Sequence, residues 1–224
     1  MPEPVPNAEL LRSLGRLVRG LSALFWGLPL ALVLCFLTAK ADVLRAYGVI
    51  PPLLPTGLIA FGMWQLGGFQ KQERVWRAAL DRARVLSLVN FGLSPFLYWW
   101  NKIPANTFFL VMVMVLAACA LIFLGCLNLV LRRLGAILPD EALRLDTRQF
   151  TTLNLNFLLM TFVLGVVYLA LGFFHSLPLW LGTVAVFIDR GFLILLVLPP
   201  LAMTMALVWK TKEIILENVF AGER

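Results

Sequence analysis

The residues able to do chemistry at a fixed site are few: His175, the adjacent pair Asp189-Arg190, three cysteines and the double proline Pro199-Pro200. One histidine in the whole chain excludes a His-rich metal site and a two-histidine zinc motif. Cys35, Cys119 and Cys126 all fall in apolar runs. An odd number cannot complete a disulfide framework, and no His or Asp stands near Cys119 and Cys126 to finish a metal site. They read as small packing residues, and no metal or cofactor is expected. The chain has no G-x-S-x-G turn, no phosphate-binding glycine loop and no paired carboxylates inside an apolar run. Hydrolase, ATPase and proton-pump chemistry of familiar type therefore has no seat, and an enzyme is not expected.

Binding chemistry remains. Asp189 and Arg190 stand where an apolar segment begins, so Asp189 serves there as a helix cap or, with Arg190, as a ligand contact at a membrane boundary. Pro199-Pro200 allows either a simple kink or an unwound turn whose carbonyls hold a cation or substrate. His175 is the one group whose ordinary titration falls near neutral pH. The candidate ligand-binding set is thus His175, Asp189, Arg190, Pro199 and Pro200.

The elements that must position these residues follow from composition. Of 224 residues, 61% are hydrophobic and 14% charged, with a mean hydropathy of +0.89. Soluble domains average about 45–50% and about 25%. The expected fold is all-α, a polytopic transmembrane helical bundle forming a single domain over 1–224. The net charge of +7 sits in clusters beside apolar runs, a distribution that faces anionic lipid headgroups rather than nucleic acid.

Leu10, Leu11, Leu14, Leu17, Val18 and Leu21 recur at helical spacing opposite Arg12, Arg16 and Arg19, which predicts an amphipathic interfacial helix at the N-terminus. An uncleaved first span, 21–39, follows with Pro29 inside it. The second, 49–69, opens on Pro51, Pro52 and Pro55, and its Gly57, Gly62, Gly67 and Gly68 allow another helix to approach. Residues 70–84 read as a second surface helix, with Trp76 at headgroup level. Its Arg74, Trp76, Arg77, Arg82 and Arg84 would meet lipid or dock a soluble partner such as a motor ATPase.

Residues 85–100 are short for a crossing and contain Pro95, whereas 107–131 is the clearest helix of the chain. The positive-inside rule separates two models. Six spans (21–39, 49–69, 85–100, 107–131, 150–174 and 191–209) place 15 of the 19 basic residues inside and 4 outside. Five spans would put the clusters after 131 and after 209 outside. Six are therefore expected, with both termini inside, and 85–131 forms a hairpin turning at 101–106. Residues 176–188 are too few to cross and read as interfacial or re-entrant. Asn154 and Asn156, two apart, point in different directions around their helix.

This layout is similar to the permease halves of ABC-2-type exporters, and its size and span count resemble the small substrate-binding membrane components of vitamin importers. The resemblance is architectural, and no residue motif of either carries over. It implies a transport-associated membrane subunit in a bacterial-type cytoplasmic membrane, partnered by lipid and by an ATPase or membrane subunit, with a homo-oligomer as a further arrangement. The scarcity of polar residues inside the apolar runs points instead to a non-catalytic scaffold or assembly subunit.

Overall fold

The computed structural model describes residues 8–68, 74–137, 141–173 and 190–220, and every element among them is helical. In chain order these are α1 (Ala8–Lys40), a 3-10 turn (Asp42–Tyr47), α2 (Ile50–Leu66), α3 (Arg74–Leu93), α4 (Phe96–Lys102), α5 (Thr107–Ile137), α6 (Glu141–Phe173) and α7 (Arg190–Phe220). Among the described residues, three stretches are long and apolar enough to cross a membrane: Arg12–Lys40, Thr107–Ile137 and Arg144–Val167. The all-helical class and the membrane character agree with the sequence reading. Asp189, His175 and the segment 176–188 lie outside the described residues.

Helix boundaries differ from those drawn by hydropathy. No separate interfacial helix precedes the first span, because α1 runs unbroken through both for 33 residues, about 50 Å at 1.5 Å per residue. Of the surface helix expected over 70–84, residues 70–73 lie outside the described residues and the rest is the first half of α3, which continues to Leu93. Trp76, Leu80, Ala83, Ser87 and Asn90 form one buried stripe across Arg84-Val85, so nothing in the packing calls for a break there. The break comes at Ser94-Pro95, where proline has no N–H to give the Phe91 carbonyl; Ser94 Oγ donates to that carbonyl at 2.9 Å instead. The connection between the spans expected at 107–131 and 150–174 is itself mostly helical, since α5 extends to Ile137 and α6 begins at Glu141.

The hairpin expected over 85–131 forms. A tight turn joins α4 to α5, Asn106 Oδ1 accepts from the Phe108 amide at 2.9 Å, and α3 packs along α5. Trp99 stacks on Phe109 with ring centroids 6.3 Å apart, and Phe96 meets Phe108 at 5.9 Å, closing the turn with aromatic surface. Arg84 and Arg133 therefore sit at one end of the molecule and Lys102 at the other.

The core lies toward the basic end. Leu17, Leu21, Leu24 and Leu28 of α1 mesh with Ile59, Met63 and Leu66 of α2, and the cluster extends through Leu80 and Leu127 to Leu207 and Ile215. The closest approach is at Gly20 and Gly62. A Cβ on Gly20 would stand 2.9 Å from the Gly62 carbonyl, and one on Gly62 would stand 3.0 Å from the Gly20 carbonyl. The close-approach role expected of Gly62 holds, with α1 as the partner.

Candidate functional site

Beyond the core, packing loosens and leaves a half-open cavity of about 360 Å³. Its walls come from α1 (Leu28 to Ala39), α2 (Thr56, Ile59), α3 (Ser87, Asn90), α4 (Leu97), α5 (Val113 to Leu124) and α7 (Val197, Leu201). The α1 wall alone runs about 16 Å along the helix at 1.5 Å per residue. Phe36 and Ala117, both exposed, stand at the rim. The cavity exists because small residues line it where the core has leucines: Ala31 and Ala39 on α1, Ala117 and Ala120 on α5.

No charged side chain lines this space. Its polar residues are Thr56, Ser87 and Asn90. Thr56 Oγ1 donates to the Pro52 carbonyl at 2.7 Å and Ser87 Oγ to the Arg84 carbonyl at 2.7 Å. Asn90 Oδ1 is buried and has no hydrogen-bond partner. The volume is more than twice the roughly 150 Å³ of an apolar cavity that stays dry and binds benzene. Such a space suits a hydrocarbon chain or ring system, not an ion or a sugar.

One turn beyond the cavity wall, toward the basic end, α5, α6 and α7 are joined by a polar cluster. Asn128, Thr151, Asn154 and Thr204 are each 0% exposed. Asn128 Nδ2 donates to the Leu124 carbonyl at 2.8 Å and to Thr204 Oγ1 at 2.9 Å. Asn154 Nδ2 reaches Thr204 Oγ1 at 2.9 Å, Asn128 Oδ1 at 3.1 Å and the Pro200 carbonyl at 3.1 Å. Asn154 Oδ1 has no partner. The cluster is thus a donor-matched lock between three helices with one acceptor unspent.

The sequence singled out Asn154 and Pro200 separately, and not Asn128 or Thr204, which lie 26 and 50 positions from Asn154. The signal that would have found them is asparagine in an apolar window: Asn128 inside α5 must pair, because an unpaired amide in that setting costs several kcal/mol. Polar residues in these helices are also not scarce in the way the scaffold reading supposes, since twelve Ser, Thr and Asn side chains are buried among the described residues.

The expected site residues separate. Pro199 and Pro200 lie within the continuous helix α7, so the unwound turn considered for them does not form. Pro199 is exposed, and Pro200 contributes its carbonyl to the polar lock. Arg190 opens α7. Neither the cavity nor the polar lock includes His175, Asp189 or Arg190 among its described residues.

In α3, Arg74, Arg77 and Arg82 are exposed as expected, but Trp76 is 0% exposed and belongs to the core rather than to a headgroup layer. Arg84 turns inward. Its Nε donates to the Met63 carbonyl and its Nη2 to the Trp64 carbonyl, both at 3.1 Å, and its guanidinium lies 5.6 Å from the centre of the Trp64 ring. It caps the C-terminus of α2, where carbonyls lack intrahelical partners. Gly67 leaves the space, for a Cβ there would stand 1.4 Å from Arg84 Nη2. Gly67→Ala and Arg84→Ala should each cost about 1–2 kcal/mol. The double variant should cost about as much as Arg84→Ala alone, because both changes remove one contact. Thermal unfolding of the four proteins in mild detergent measures this, and strictly additive losses would show that Gly67 serves something else.

Comparison with protein-family models, with curated proteins and with solved structures finds no match to this chain.

Proposed function

We propose that this protein is a transport-associated membrane subunit that takes an apolar molecule, a single hydrocarbon chain or a compact ring system, into the cavity between α1, α3, α5 and α7. The observation that carries this reading is the cavity itself: about 360 Å³, half-open and without a lining charge. A scaffold that only packs against another complex has no use for such a void, whose unfilled walls forfeit dispersion contacts. Six crossings fit this reading: α1, α2, the broken pair α3 and α4, α5, α6 and α7. The arginine-bearing end then faces inward with both termini, and Lys102 faces outward. Exposed Arg74, Arg77 and Arg82 on the inner side offer a surface to a motor subunit.

The test is saturable binding of a fluorescent long-chain alcohol to the purified protein, repeated with Ala120→Phe. A phenyl ring at Ala120 fills the cavity from the α5 wall, so binding should fall at least about tenfold, the loss expected when a fitted apolar ligand is displaced from a small pocket. The melting temperature should stay near that of the parent. Equal, non-saturable uptake by both proteins would instead favour the scaffold reading. Maleimide accessibility of Lys102→Cys and Arg133→Cys from the two sides of the membrane tests the span count separately. Labelling of Lys102→Cys from the cytoplasmic side would remove the six-span arrangement and the transport reading built on it.

A further inference from the structure

We propose that Arg12, Arg16 and Arg19 of α1 form a specific site for a phosphate-bearing lipid headgroup, one with two phosphates in preference to one. At 100° per residue, positions 12, 16 and 19 fall on one face within about 60° of arc. All three side chains are exposed, and together with Gly15 they border an open groove of about 490 Å³. A Cβ on Gly15 would meet nothing within 4 Å, so no other side chain covers the helix at that point of the groove.

The three charges are not spent inside the protein. Among the described residues, Arg84 pairs with Asp81 and Lys210 with Asp146, and neither pair draws on Arg12, Arg16 or Arg19. Arg16 lies against the end of α2, its guanidinium carbon 3.3 Å from where a Gly68 Cβ would be. Three carbonyls near that end have other donors: Met63 and Trp64 take Arg84, and Gln65 takes the Gly68 amide at 3.3 Å. Arg16 is thus held in place with its donors available.

The occupant is a lipid rather than a free phosphate because of where the ladder stops. Arg19 is followed at once by Gly20 and Leu21, and the same helix continues as an apolar stretch to Ala39. A headgroup bound to the arginines has its acyl chains beside that stretch. Guanidinium groups on successive turns match two phosphates, since each planar fork takes one phosphate bidentately.

Native mass spectrometry of the detergent-purified protein, with a two-phosphate lipid of the cardiolipin type, phosphatidylglycerol and phosphatidylcholine, reads the site directly. The two-phosphate lipid should be retained most and phosphatidylcholine least. The variant Arg12→Gln/Arg16→Gln/Arg19→Gln should lose about a hundredfold in affinity for it, at roughly fivefold for each arginine near an anionic surface. The charge-matched variant Arg74→Gln/Arg82→Gln/Arg133→Gln should lose less than about threefold, because it removes only diffuse attraction. Equal losses in the two triple variants overturn the site. A rise in melting temperature with millimolar inorganic diphosphate and no lipid overturns the lipid assignment. If the α1 triple variant does not fold, Arg16→Gln alone, expected to lose about fivefold, carries the same test.

Discussion

Gly20→Leu is expected to separate α1 from α2 and leave the protein unable to reach a stable folded state in mild detergent. The reason is backbone, not side-chain, crowding. A Cβ at position 20 would stand 2.8 Å from Leu66 Cδ1 and 2.9 Å from the Gly62 carbonyl oxygen. Leu66 can turn aside, but the Gly62 carbonyl can move only if α2 moves. α2 is also held at its C-terminus by Arg84 and along its length by α1 and α3. Even Gly20→Ala should cost about 1–3 kcal/mol, the usual range for overpacking, and the larger leucine more. Gly92→Ala and Gly165→Ala are the controls, because a Cβ at either position meets nothing within 4 Å. They should be neutral or gain up to about 1 kcal/mol, the entropic advantage of alanine over glycine in a helix. Resistance of Gly20→Leu to thermal unfolding equal to that of the parent would mean that α1 and α2 do not meet as described.

This dependence on one glycine pair indicates which parts of the fold were legible. Gly62 is one of four glycines in a short run, a pattern readable as a helix contact, whereas Gly20 lies beside an arginine ladder with no such pattern around it. The pairing is a property of two helices, and neither run contains the other's address. Helix boundaries failed for a related reason. Changes of polarity at Arg19-Gly20, Arg84-Val85 and Arg148-Gln149 looked like element ends, but backbone hydrogen bonding is indifferent to side-chain polarity and continues until a residue interrupts it. Pro95 is one interruption that the sequence marks, whereas the left-handed φ of 61° at Gly48, after the 3-10 turn, belongs to the folded backbone. The cavity was not legible, since Ala31, Ala39, Ala117 and Ala120 become a void only when six elements face one another.

The polar lock supplies the second large effect, and two substitutions of Asn154 should not behave alike. Asn154→Leu removes the donor to Asn128 Oδ1 and leaves that oxygen without a partner, while Thr204 Oγ1 and the Pro200 carbonyl keep other partners. It also removes Asn154 Oδ1, already unpaired, so the loss should be modest, about 1 kcal/mol. Asn154→Asp is isosteric and should be far worse. The amide nitrogen that faces three acceptors becomes an oxygen, either a carboxylate against three other oxygens or an acid with one proton to share. A carboxylate there is a buried charge with no cation to face it, and the neutral acid still sets oxygen against oxygen. At pH 7 the variant should lie more than about 3 kcal/mol below the parent. Melting temperatures of parent, Asn154→Leu and Asn154→Asp at that pH decide the matter. An Asn154→Asp protein as stable as Asn154→Leu would show that water reaches the cluster and that α5, α6 and α7 are not sealed there.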